Sequence, residues 1–353
     1  MTALVAPSLL GARGERRAAW QATSRPGTDW AALLERCGGS FFHSPPALRA
    51  SLPPGEPVFA RLVGGGEVLA VAAGVMCGCR LSLRRRHARF AALPAAAPGV
   101  DRAAAAALLA RALAAGGAAE VAMDSFASPG GAVPGGGALP GRERWEWVVP
   151  LSSPAEVAPR LSRAHRRHAT AGDRAGWTLR ELGGSEAARL LAAVQDAAAG
   201  RAARRGDPFG AGVPGAAGDR AVKLGEPWGV CTFAAYDGAE PLAAALVGWA
   251  NRRAFYLVGG STPEGYRRSA APWLHARVME RLAGHGFAEY DLGGTAAEAA
   301  APAHPAHGLH RFKAGFGAEP VPCRGARWEP GHAHLRAHRA LARLATLVTP
   351  GPR

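Results

Sequence analysis

The sequence predicts a mixed α/β fold, in the α+β sense, arranged as two tandem domains, on three observations. At 353 residues the chain exceeds one ordinary domain. Each half contains a hairpin: residues 58–63 and 68–77 joined across a Gly-rich turn, and residues 230–236 and 241–249 joined across Asp237-Gly238. Each hairpin is preceded by a helix and followed by strand, helix and strand, so the order of elements repeats although the sequence does not.

Along the chain, residues 1–26 are rich in Arg, Ala and Pro and read as a flexible N-terminal arm. Residues 30–36 open a helix, and Phe42-His43-Ser44-Pro45-Pro46 is punctuated by its prolines. The first hairpin comes next, then an extended run at 88–93. Residues 101–115 form an alanine-rich helix with Asp101 at its cap and Gly116-Gly117 at its end. Residues 119–123 are a short strand, 129–140 a Gly/Pro loop without core-building side chains, and 145–151 another strand. The second round begins with Ser153 capping a basic helix over 154–171 that carries Arg160, Arg163, Arg166 and Arg167. A strand (177–182), a helix (185–203) and a Gly/Pro loop (204–217) precede the Asp-Gly hairpin. Strand 253–258 ends in a break at Gly259-Gly260, helix 271–284 ends at a glycine, and strand 287–292 ends in a second break at Gly293-Gly294. A helical segment (308–315), a last strand (320–328) and a helix over 332–347 complete the chain. The domains are then 27–150 and 151–330, with a C-terminal helix and tail over 331–353.

Composition narrows the function. Net charge is +15, which favours anionic partners such as nucleic acid, nucleotide-linked substrates or acidic lipid. The 42 basic residues include only two lysines, Lys223 and Lys313, so Arg enrichment is also what genomic bias writes. A lysine that survives such bias marks a place where a compact ammonium serves and a planar guanidinium does not. Asn251 and all four tyrosines, Tyr256 among them, also fall in the C-terminal half. The five cysteines are odd in number and scattered, which fits reduced thiols and not a secreted disulfide framework. No apolar run reaches the ~18 residues of a membrane span, so a cytoplasmic protein without a transmembrane segment is expected.

Three stretches carry a family resemblance. They are Leu161-Ser162-Arg163-Ala164-His165-Arg166-Arg167; the helix from Ala271 running on to Tyr290-Asp291-Leu292-Gly293-Gly294; and Phe312-Lys313-Ala314-Gly315-Phe316-Gly317. Together they resemble the C-terminal domain of FemABX aminoacyltransferases and their GNAT-like relatives. The resemblance implies two GNAT-like acyltransferase domains around a cleft, with transfer of an aminoacyl group from charged tRNA to an amine, in the family on a cell-wall (peptidoglycan) precursor. It places the family's charge-stabilising lysine on Lys313, with Phe312 beside it. Where the family usually carries aromatic and arginine positions, this chain has the thin loop Arg204-Arg205-Gly206-Asp207-Pro208-Phe209-Gly210, which puts the peptide acceptor in question. Ala47 stands where the family commonly has an aromatic, and the resemblance offers Arg49 for the family's substrate-contacting lysine.

The remaining chemistry is read from the residues. Attack of an amine on an ester builds an oxyanion, and a preorganised cation in low-dielectric company stabilises it. Asp291, at a strand end, either accepts a proton or a substrate ammonium, or caps the Gly293-Gly294 turn. The loop Tyr266 to Ala271 is a degraded match to the pyrophosphate cradle of CoA-dependent enzymes, in which Arg267 and Arg268 hold phosphate or are simply solvated. His275 is a base or, more ordinarily, an interior residue. Tyr256, Gly259, Gly260, Gly293 and Gly294 complete the expected substrate site. The histidines at 304, 307 and 310, and those at 332, 334 and 338, have no carboxylate partner, so no metal is expected. The expected partners are an anionic acyl donor (tRNA or CoA, not DNA) and a small amine acceptor, with no tightly bound cofactor. An acyl-CoA-dependent N-acyltransferase is the alternative enzyme. A non-catalytic binding protein is the alternative of a different kind, and it predicts an exposed Lys313 and no cleft.

Overall fold

The computed structural model describes residues 2–4, 18–79, 82–128, 138–204 and 213–329. The helix expected over 332–347 and most of the 129–140 loop lie outside these residues. In the first half, β1 (Thr2–Leu4) and β2 (Ala18–Thr23) precede α1 (Trp30–Arg36) and α2 (Pro45–Ser51). Then come the hairpin β3 (Glu56–Gly64) and β4 (Glu67–Cys79), β5 (Ser82–Phe90), β6 (Ala95–Ala96), α3 (Arg102–Ala115) and β7 (Ala118–Met123). The arm is therefore not loose where it is described. β2 pairs with β3 in antiparallel register, and Trp20 is fully buried in the first-half core. An alternating apolar pattern of only six residues, inside an Arg/Ala-rich stretch, concealed this strand.

β8 (Leu139–Pro150) leads into the second half. Instead of one basic helix, the chain forms α4 (Val157–Arg160) and α5 (Arg163–Arg174), because Ser162 adopts extended ψ and caps α5 by accepting from the His165 N–H. β9 (Thr178–Leu182), α6 (Gly184–Arg204), and the hairpin β10 (Trp228–Asp237) and β11 (Glu240–Ala250) follow. Next come β12 (Arg253–Ser261), α7 (Pro263–Arg267), α8 (Ala270–Gly284), β13 (Glu289–Thr295), α9 (His307–Ala314) and β14 (Glu319–Trp328).

The strands form one sheet in the order β1-β2-β3-β4-β5-β7-β14-β8-β13-β12-β11-β10-β9, with β6 on β4. Pairing is antiparallel except for one parallel pair in each half, β5 with β7 and β12 with β13. Both halves thus repeat the same mixed α/β order, as the hairpins predicted. At the centre the chain crosses over. β8 pairs with β13 of the second half, β14 pairs with β7 of the first, and the two crossing strands pair with each other. Their side chains follow them: Trp147 and Val149 of β8 enter the core beneath α8, whereas Ala326 and Trp328 of β14 enter the core beneath α3.

Candidate active site

The second-half parallel pair is short. β12 and β13 are in register at Arg253/Glu289, Ala254/Tyr290 and Phe255/Asp291, and there the pairing ends. Beyond that point β12 continues along β11 to Ser261, while β13 turns onto β8 up to Thr295. The two strands splay into a fork, with Tyr256 to Gly259 on one prong and Leu292 to Gly294 on the other. A cleft of 840 Å³ opens at the fork. Its other wall comes from the first half and from β8: Phe42, Arg49, Leu52, Phe126, Arg144 and Glu146.

The expected breaks behave differently from the sequence reading. Gly259 and Gly260 do not interrupt β12; they stay paired with Ala245 and Ala244. Their value is closeness: a Cβ on Gly259 would lie 2.2 Å from the Ala244 carbonyl oxygen, and one on Gly260 would meet the Val194 carbonyl of α6. Gly293 has φ +78 within a register shift of β13, a conformation glycine tolerates best. Gly294 leaves room for Arg144.

Lys313 reaches into this fork from α9. It is 4% exposed, its Nζ donates to the Gly294 carbonyl at 3.0 Å, and it has no carboxylate ion-pair partner among the described residues. Burial holds its ammonium down at about 8, against opposing attraction from Asp291 and Glu146. Phe312, beside it, points away from the cleft and packs against His165, Phe316 and His275, fixing α9 to α5 and α8.

Asp291 takes the capping role the sequence offered, and it also faces the cleft. Its Oδ1 accepts from the Gly293 N–H at 2.7 Å, capping the turn, and its buried carboxyl lines the cleft. Burial, then the charge of the nearby Glu146 carboxyl, push it well above the usual carboxylate range. Glu146 is the residue sequence reasoning missed. It accepts from the Ala127 N–H, is ion-paired to Arg144 at 2.8 Å, and receives the Cys323 thiol at 3.5 Å. The only trace in the sequence was its place in the strand read over 145–151, between Trp145 and Trp147, on the face that turns to the cleft.

The other expected residues divide. Tyr256 and Arg49 line the cleft, Arg49 in an ion pair with Asp219. His275 does not; it is buried, bonded to the Tyr290 hydroxyl at 3.0 Å, and desolvation pushes it down to about 3, so it is a neutral interior residue. Arg267 and Arg268 are outside the cleft, turned to Glu264 and Asp237, with Arg268 over the Trp177 ring. Arg166 donates to the Pro159 and Leu161 carbonyls on the far side of α5. Lys223 is exposed. The cleft cations are therefore Lys313, Arg144 and Arg49, not the arginines the loop suggested. A buried Lys313 at the floor of a cleft is the opposite of what a non-catalytic pair of domains predicts. Among the described residues no cluster of His, Cys, Asp and Glu could hold a metal, and no helix is long and apolar enough to cross a membrane.

The first half contains the same fork in closed form. Past β5 and β7 the strands stay bonded, Asp124 N–H to Phe90 and Phe126 N–H to Ala91. The Leu93 carbonyl is then taken by His43 Nε2 and Arg102. One fork is open and one is sealed.

The forked parallel pair, with α9 delivering a buried ammonium to its mouth, leaves a cleft that can hold a reacting carbonyl against Lys313. Residues 159–314 match the family model of the acetyltransferase (GNAT) domain. The crystal structure of FemX aligns with a TM-score of 0.66 at 14% identity, covering 86% of this chain and 96% of that one. A conserved protein of unknown function from Bacteroides thetaiotaomicron gives 0.50 at 9% identity over 83% and 90%. A tandem GNAT protein of the clavulanic acid biosynthesis pathway gives 0.48 at 15% identity over 89% and 99%. No curated protein sequence matches the chain. Residues 159–314 thus resemble a GNAT domain in sequence, and the fold of the described residues is similar to that of FemX.

Proposed function

We propose that the protein transfers an aminoacyl group from charged tRNA to the amine of a small acceptor, at the fork between β12 and β13. The observation that carries this reading is Lys313, a buried cation whose hydrogen-bond partner among the described residues is a carbonyl. Such a charge is costly to keep unless an anion forms beside it. When an amine attacks an ester carbonyl, the carbonyl oxygen becomes that anion. The new C–N bond forms, the oxyanion sits against Nζ, and the ester C–O bond breaks as the oxyanion collapses. In a dry site the stabilisation exceeds what the same pair gives in water.

The donor assignment rests on the loop after β12. Backbone N–H groups of Gly265, Tyr266, Arg268 and Ser269 are already bonded to Thr262, Glu264 and Tyr266. These four are not open to a pyrophosphate, which weighs toward an aminoacyl ester over acyl-CoA. The acceptor enters from the first-half side, between the Phe42 and Phe126 rings and Arg49. A cell-wall precursor is the acceptor class the family resemblance brings. The acyl-CoA reading is favoured by the acetyltransferase description of the matching family model. The two readings part in one experiment: thermal melts with charged tRNA, uncharged tRNA and acetyl-CoA, then transfer to hydroxylamine read as hydroxamate. Charged tRNA is expected to stabilise the protein and yield product. Stabilisation and product from acetyl-CoA alone would reverse the donor assignment.

A further inference from the structure

We propose that Glu146 and Asp291 form a carboxyl pair that holds one proton between them and relays protons from the acceptor amine to the leaving oxygen. The inference rests on the acyl-transfer reading of the fork and adds to it a second group that acts on the reacting atoms. Its basis is geometric. The two acids stand on neighbouring antiparallel strands, with Glu146 opposite Gly294 and Asp291 opposite Val148, so both project from the same face of the sheet. They are 3% and 4% exposed and line the cleft that Lys313 floors.

Two neighbouring carboxylates in a dry site cannot both ionise, so one proton stays. Around them Arg144 on β8 binds Glu146, Lys313 on α9 attracts both, the Cys323 thiol on β14 donates to Glu146, and the Tyr290 and Tyr256 phenols are held neutral by burial. Glu146 keeps its geometry through the Ala127 N–H and Arg144, and Asp291 keeps its own through the Gly293 N–H. The pair is therefore held in place and short of one proton.

The balance closes on itself. A neutral acceptor amine attacks the acyl carbon, the C–N bond forms, and the nitrogen loses one proton to the ionised member of the pair. As the C–O bond breaks, the pair returns one proton to the departing oxygen. It ends with the single proton it began with, and the acceptor is a primary or secondary amine that binds as the free base. No oxidant, metal or second base is needed.

The test has a readout without substrate and one with it. Infrared spectra of the wild-type protein at pH 7 should show the carbonyl stretch of a buried protonated carboxyl, absent in Asp291→Asn. Its absence from the wild type would overturn the shared proton. With charged tRNA and hydroxylamine, wild-type rate should be bell-shaped in pH, falling in acid as the pair takes a second proton. Glu146→Gln keeps the shape of the side chain. It should lose roughly 10²–10⁴-fold in rate and flatten the acid limb, with the affinity for charged tRNA unchanged. A Glu146→Gln enzyme that keeps the wild-type rate and pH profile would make the pair structural. If the wild type forms no hydroxamate from either donor, the acyl-transfer reading fails and takes the relay with it, whereas the infrared result reports on the proton alone.

Discussion

Lys313 concentrates the conflict between stability and function in this fold. Burial pushes its ammonium down to about 8 from the ordinary lysine value of 10.5, a difference on the order of 3 kcal/mol against the charged form. The unfolded chain binds more protons between those values, so this cost is full below pH ~8 and is relieved as pH rises toward 10.5. Lys313→Met should therefore raise stability by about 1–3 kcal/mol at pH 7, and urea titrations should show the gap over wild type closing by pH 10. The same change should abolish transfer. Lys313→Ala should cost about 10²–10³ in single-turnover rate, and Lys313→Arg should rescue poorly, since a planar fork does not place one compact charge against the Gly294 carbonyl. A wild-type rate in Lys313→Ala would remove the oxyanion role altogether. This residue was legible because lysine is so scarce in the chain and because Phe312-Lys313 sits in a recognisable segment. Glu146 was not, because a single acid on a strand gives no signal until the partner strand brings Asp291 beside it. The arginines at 267 and 268 misled for a local reason. Glu264, three and four residues away, was visible in the sequence and is where they turn.

The fork depends on elements held closer than ordinary side chains allow. Where α7 crosses β11, a Cβ on Gly265 would lie 1.8 Å from the Leu242 carbonyl oxygen, and the Gly259 position on β12 is nearly as tight. Both obstacles are backbone and cannot step aside. Gly259→Ala should spread β11 from β12 at the prong that lines the cleft. The expected loss is about 1–3 kcal/mol of stability in denaturant titrations and transfer reduced well beyond what the small stability change explains. Unchanged stability would mean that the strands adjust freely. Glycine pairs read as breaks because sequence shows that a side chain is absent, not whether the space went to a turn or to a neighbour. The α9 anchor has its own signature. His275 stays neutral beneath Phe312 and Tyr256, pushed down to about 3, and His43 in the sealed first-half fork is pushed down to about 4. For both, the unfolded chain takes up the proton first, so stability is full above pH ~6.5 and falls as the pH drops below it. The slope approaches about 1.4 kcal/mol per pH unit for each histidine. Urea midpoints at pH 7.5 and 5 should show this loss, and His275→Phe should lessen it. An equal acid slope in that variant would assign the loss elsewhere.

At the scale of the molecule, the decisive feature is the exchange of β8 and β14. Element order showed two similar halves, but order cannot show that the strand closing each half comes from the other side. That pairing joins residues far apart in the chain, such as Glu319 with Val148. The consequence is that neither half completes its own core. The second half takes Trp147, Val149 and Leu151 from the β8 segment and its end, and the first half takes Ala326 and Trp328 from β14. The same exchange builds the cleft, since Arg144 and Glu146 ride on β8 to the prong of β13. Burying one tryptophan and one valine contributes several kcal/mol, on the scale of ~25 cal/mol per Å² of apolar surface, comparable to the whole margin of a domain. The full chain should then unfold in a single calorimetric transition, with calorimetric and van't Hoff enthalpies equal. Residues 1–150 and 151–353 produced as separate chains should each be unfolded or aggregated alone, because each leaves a sheet edge and an apolar slot open. Produced together, they should purify as a one-to-one complex that regains transfer, with β8 and β14 paired across the cut. A second half that is folded and monomeric by itself, with dispersed amide resonances, would show that the exchange is incidental to stability. It would still lack Glu146, and restoring activity by adding the first half would then measure the contribution of β8 to the site alone.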